Sequence, residues 1–80
     1  MNEYQQKRNE AALLVEPFIV DVVVPHTYKA IPITDVEKIL GKELAAQLLA
    51  EPIRGAGPPG HVYYWNVIDY IVEFGTLKQS

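Results

Sequence analysis

A mostly polar start gives way at Ala11-Ala12-Leu13-Leu14-Val15, with Tyr4, Ala11, Leu14 and Val15 spaced as one face of a helix. Glu16-Pro17 stops that helix, since proline removes an amide donor and disfavours helical geometry in the residue before it. Phe18 to Val24 is almost wholly apolar and rich in β-branched residues, with Asp21 as its one polar position, and reads as a strand ended by Pro25. Such a strand is either covered on both faces or lies as an edge able to recruit another chain. Pro25 to Ile33 has two prolines and no clear period, and reads as an irregular connector.

Helical pattern resumes at Thr34, where Thr34-Asp35-Val36-Glu37 has the form of a capping box and Val36, Ile39 and Leu40 share a face. Gly41 stands where a left-handed C-terminal residue is expected, so this helix is short. A second helix follows at once over Lys42 to Glu51, rich in strong helix formers, and Pro52 ends it. Two helices separated by one glycine suit the steep crossing of a helix-turn-helix. Gly55-Ala56-Gly57-Pro58-Pro59-Gly60 then predicts a tip where the chain reverses, and His61 to Trp65 a returning strand. Residues 66 to 74 read as a helix capped by Asn66 and closed by Gly75, with one long strand from His61 to Phe74 as the alternative.

The order short helix, glycine, second helix, glycine-rich tip, tyrosine-bearing strand and closing helix resembles the MerR and excisionase-like winged-helix superfamily, which includes DNA-binding domains of phage terminase small subunits. Ile33 to Gly41, Arg54 to Gly57, Gly60 to Tyr64 and Val67 to Tyr70 carry the resemblance, over about half the chain. It implies an α+β fold with a small winged helix-turn-helix core over residues 31–75; the N-terminal helix and strand read over residues 1–30 extend that core in a single domain and have no counterpart in the family. It also implies double-stranded DNA as partner, with the second helix in the major groove, and a regulatory or architectural role in a phage or mobile element. Pro58 and Pro59 stand where the family carries basic wing residues, and Glu43 and Glu51 lie on the helix that would face phosphate.

Composition bears on that expectation. The formal charge is −3, and the seven Lys and Arg residues form no cluster. The best nucleic-acid contacts are Lys38, Lys42, Gln47, Arg54 and His61, in or beside the second helix and the tip. A charge-balanced surface is the competing reading of the same residues. An acidic protein-binding module, an inhibitor or assembly factor, is the alternative function, because apolar residues surround the closing helix and Tyr64, Tyr70, Ile71 and Phe74 could meet a partner. A chain of 80 residues buries a modest core, so a homo-oligomer is a further expectation.

Chemistry offers little. There is no cysteine, Ser80 is the one serine, and no phosphate loop or paired-histidine zinc motif occurs, so the chain is not expected to be an enzyme or to hold a cofactor or metal. His26 and His61 read as surface or partly buried histidines. Absent cysteine, a polar N-terminus and no long apolar run suggest a cytoplasmic protein.

Overall fold

A computed structural model describes residues 2–76. Among them the chain is a small α+β fold of four helices and a three-stranded antiparallel sheet, consistent with a winged-helix-like architecture. Helix α1 (Glu3–Val15) leads through a 3₁₀ turn (Glu16–Phe18) to β1 (Val20–Val23) and β2 (Thr27–Pro32). Helices α2 (Ile33–Leu40) and α3 (Lys42–Ala50) follow, then β3 (His61–Tyr63) and α4 (Tyr64–Phe74). Strand order is β1-β2-β3. No helix of the described residues is long and apolar enough to cross a membrane.

The expected connector from Pro25 to Ile33 is instead largely β2, the central strand. Its register puts Val20 opposite Ala30 and Val22 opposite Tyr28 on one side, and Ala30 opposite Tyr63 and Ile31 opposite Val62 on the other. A central proline is tolerated here for a geometric reason. Ile33 N donates to Gly60 O at 3.1 Å, so the odd residues of β2 bond toward β3 and the even ones toward β1. Pro32 therefore directs its missing donor toward the β1 side, beyond the residue where β1 begins.

That same bond overrides the capping box. The chain turns into α2 directly off the ladder, with Pro32 as N-cap and no side-chain cap, which leaves Thr34 exposed inside the first turn. Gly41 does close α2, at φ 89°, and its amide bonds to Glu37 O at 2.8 Å. Likewise the strand expected over His61 to Trp65 is only three residues long. Helix α4 starts at Tyr64, and Asn66, expected as its N-cap, is buried within it with Nδ2 3.4 Å from Ala56 O. Gly75 closes α4 at φ 86°.

One core joins the four helices to β2 and β3. Ile31 and Val62, both fully buried, pack from the sheet against Val36, Ile39, Leu48, Val67, Tyr70 and Ile71 of the helices and against Ala11 and Val15 of α1. The N-terminal segment thus shares the core with the helix pair. Helix α1 lies along α4, closing the apolar face that the sequence left uncovered, and the Arg8 guanidinium bonds the Asp69 carboxylate across that seam.

Candidate interaction surface

The glycine-proline segment expected as a wing tip lies folded against the sheet. Val62 of β3 bonds toward β2, while the neighbouring amides of β3 point to the outer edge and are taken up by the tip: His61 N donates to Pro58 O at 2.9 Å and Tyr63 N to Ala56 O at 3.2 Å. Pro58 is buried, and a Cβ on Gly57 would stand 2.4 Å from His61 O and 2.7 Å from Val62 Cα. The approach is close enough to require glycine. Residues 56–58 thus seal one edge of the sheet, so no free hairpin follows α3.

Arg54, the expected DNA contact beside the tip, is committed internally. Its Nε and Nη2 bond Glu51 at 2.9 and 3.1 Å, its Nη1 bonds Glu73 at 2.5 Å, and its guanidinium lies 4.7 Å from the centre of the Tyr70 ring. Glu51, then Glu73, push the Arg54 pKa further above its ordinary value. The Tyr70 hydroxyl also donates to Glu51. Arg54 and Tyr70 in turn hold the Glu51 carboxyl below the usual range, while burial, then the Glu51 contact, raise the Tyr70 phenol. The network locks α4 to the end of α3.

The other expected DNA contacts remain scattered. Lys38 is exposed, 3.6 Å from the Asp35 carboxylate, and His61 places Nδ1 2.8 Å from Pro59 O. Lys42 and Gln47 are exposed on α3, Lys42 at the end where the helix dipole is positive. Of the six described Lys and Arg residues, Arg8, Lys29, Lys38 and Arg54 form ion pairs within the chain, leaving Lys7 and Lys42 without one among the described residues. That is a thin footprint for phosphate.

Two of the expected partner contacts are corrected by burial. Tyr70 is fully buried, with Glu51 against its hydroxyl and Arg54 over its ring from the end of α3, and Ile71 is nearly buried in the core, so both are covered within the chain. Tyr64 is half-buried and packs against the core, and Phe74 is exposed, its ring 4.9 Å from that of Tyr70. Among the described residues no three His, Asp or Glu side chains gather to hold a metal.

The sheet assembles a surface that the sequence order hides. Ile31 and Val62 face the helices, so alternation turns Val20, Val22, Tyr28, Ala30 and Tyr63 to the opposite face. There the rings of Tyr28 and Tyr63 lie 5.7 Å apart, and Trp65 reaches back from the first turn of α4 to stack on Tyr63 at 4.5 Å with planes 7° apart. Tyr64 meets Trp65 edge-on at 5.4 Å. Trp65 stays 43% exposed and Val20 40% exposed, beside a fully buried Ala30. Sequence reasoning missed Tyr28 because it lay in the supposed connector, although Thr27, Tyr28 and Ile31 are strand-forming residues. No protein-family model matches this chain, and no curated protein or solved structure matches it either.

Proposed function

We propose that this chain is a protein-docking module whose binding face is the outer face of its sheet, centred on Tyr28, Tyr63 and Trp65. The observation that carries this reading is the stack of Tyr63 and Trp65 on a sheet face turned away from the helices. Exposed aromatic side chains supply large rigid contact area at low entropic cost, the character of interface hot spots. Internal pairing of most described cations, with the −3 charge, favours a protein partner over duplex DNA and gives long-range attraction to a basic one.

Two measurements on the full chain decide between the readings. Random-sequence duplex is titrated by anisotropy across a salt series, with Lys42→Ala as the variant. Proteins captured from the source cells are compared between wild type, Trp65→Ala and Lys42→Ala. Docking predicts weak duplex binding with a shallow salt slope, and a partner lost with Trp65→Ala but retained with Lys42→Ala. Tight duplex binding with a steep slope that Lys42→Ala reduces by about one charge would overturn the proposal in favour of DNA recognition.

A further inference from the structure

The two edges of the sheet differ. The β3 edge is sealed by residues 56–58, but β1 makes its main contacts with β2 alone and leaves its other side open. Val24 N donates to His26 O at 2.9 Å, and with Val22 opposite Tyr28 and Val20 opposite Ala30 this fixes the ladder: even residues of β1 bond inward. Asp21 and Val23 therefore point both N–H and C=O outward. Exposed valines crowd the same edge, with Val20 40%, Val24 51% and Val23 68% exposed.

We propose that this open edge is the seam of a homodimer, in which β1 pairs antiparallel with β1 of a second copy, Asp21 opposite Val23 of the partner subunit and Val22 opposite Val22 of the partner subunit. Three two-fold registers bring outward-facing residues together, and the chain's own chemistry rejects two. Centring on Asp21 sets carboxylate against carboxylate and calls on Ile19, whose amide already donates to Glu16 O at 3.2 Å. Centring on Val23 brings in Pro25, which has no donor. Centring on Val22 satisfies both donors and both acceptors of each copy.

That register is also self-complementary in its side chains. Val20 meets Val24 of the partner subunit, so the exposed valines cover one another, and each Asp21 keeps its own Lys29, 3.3 Å away across the β1-β2 pair. The occupant that β1 fits at every position is therefore a second β1. The two aromatic faces would then join in one six-stranded sheet, Trp65 lying two strands from the seam.

Val23 tests the register, because its exposure lets the monomer tolerate change there. In sedimentation equilibrium of the full chain from about 1 μM to 1 mM, wild type is expected to dimerise. Val23→Asp sets two carboxylate pairs across the seam and should weaken association roughly 2- to 30-fold, whereas Val23→Lys faces Asp21 and should hold or tighten it. Amides of Asp21 and Val23 should exchange more slowly as concentration rises. A monomer throughout the range overturns the proposal, as does a dimer indifferent to both substitutions; equal weakening by both overturns the register. Trp65→Ala should leave the dimer intact, so loss of partner binding in that variant reports on the docking face and not on the seam.

Discussion

Replacing Gly57 with alanine tests whether the glycine-proline segment is an edge cover or a projecting wing. The added Cβ would stand 2.4 Å from His61 O, 2.7 Å from Val62 Cα and 2.9 Å from His61 C, all backbone of β3. Backbone in a paired strand cannot rotate aside, so the tip must lift. Lifting weakens His61 N to Pro58 O and Tyr63 N to Ala56 O, along with the longer contact from Asn66 to Ala56 O. Two backbone hydrogen bonds at about 1 kcal/mol each, with the lower part of the usual overpacking cost, give a loss of roughly 2–4 kcal/mol. Folding stability of a chain this long is about 4–12 kcal/mol, so the loss is a large share and lowers Tm by about 10–30 °C.

Gly60→Ala is the control. Gly60 has φ 78° but nothing within 4 Å of an added Cβ, so its cost is the backbone term alone, about 1–2 kcal/mol. Urea unfolding followed by circular dichroism measures both, and hydrogen exchange at His61 and Tyr63 should accelerate in Gly57→Ala alone. A Gly57→Ala protein as stable as wild type, or more stable than Gly60→Ala, would mean that the tip does not rest on β3 and that both sheet edges are open.

Other outcomes follow from the same contacts. Glu51 is held below its ordinary pKa of 4.5 by Arg54 and then Tyr70, so its folded-state pKa lies under its unfolded value. The stability it contributes is complete above the ordinary carboxylate range and is lost as pH falls through the depressed value; acid titration of Tm should show this loss, and Arg54→Met should reduce it. Tyr70 has the opposite sign, since burial and Glu51 raise its phenol above 10, so its stabilisation fades as pH rises past the unfolded value. Absorbance at alkaline pH should therefore show one of the five tyrosines ionising late or only with unfolding. Trp65→Ala should cost about 2–4 kcal/mol in urea unfolding, because the ring loses its stack on Tyr63, its edge contact with Tyr64 and the burial of its covered half.

How much of this was legible from sequence divides by the range of the determining contact. Gly41 and Gly75 end their helices by their own backbone freedom, and Pro17 and Pro52 break the chain locally, so α1, α3 and the end of α4 could be read directly. The starts of α2 and α4 could not. Thr34 and Asn66 are good caps in isolation, but the ladder bond from Ile33 N to Gly60 O and the tip bond from Tyr63 N to Ala56 O begin each helix earlier, at Ile33 and Tyr64. Strand β2 was hidden because a proline inside a sheet counts against a strand unless its register is known. Only the partner register shows that the missing amide of Pro32 points past the start of β1.

The candidate site was less legible than the fold for the same reason. Arg54 is separated from Glu73 by nineteen residues, and from sequence it was as available to phosphate as Lys42. Its capture by two carboxylates depends on how α4 returns past the end of α3. The aromatic face needs three separate elements: Tyr28 from β2, Tyr63 from β3 and Trp65 from a helix that had been expected to start one residue later than Trp65. Strict strand alternation does put Tyr63 and Trp65 on one side, but the early turn into α4 is what brings their rings parallel.

The apolar surface has likewise moved from where the sequence placed it. Apolar closing-helix residues call for cover, and the chain supplies it: α1 packs along α4, and Arg54 and Glu51 at the end of α3 cover Tyr70. Helix α1 leads through the 3₁₀ turn to β1, whose valines are left outside the helical layer at the open edge. Covering α4 from the N-terminal side and exposing β1 are thus two consequences of one chain path. The tip seals the opposite edge with the backbone of residues 56–58, which confines strand pairing to β1 and leaves the aromatic face free of the seam. A face for a partner and an edge for a second copy can therefore operate in the same 80 residues without competing for the same atoms.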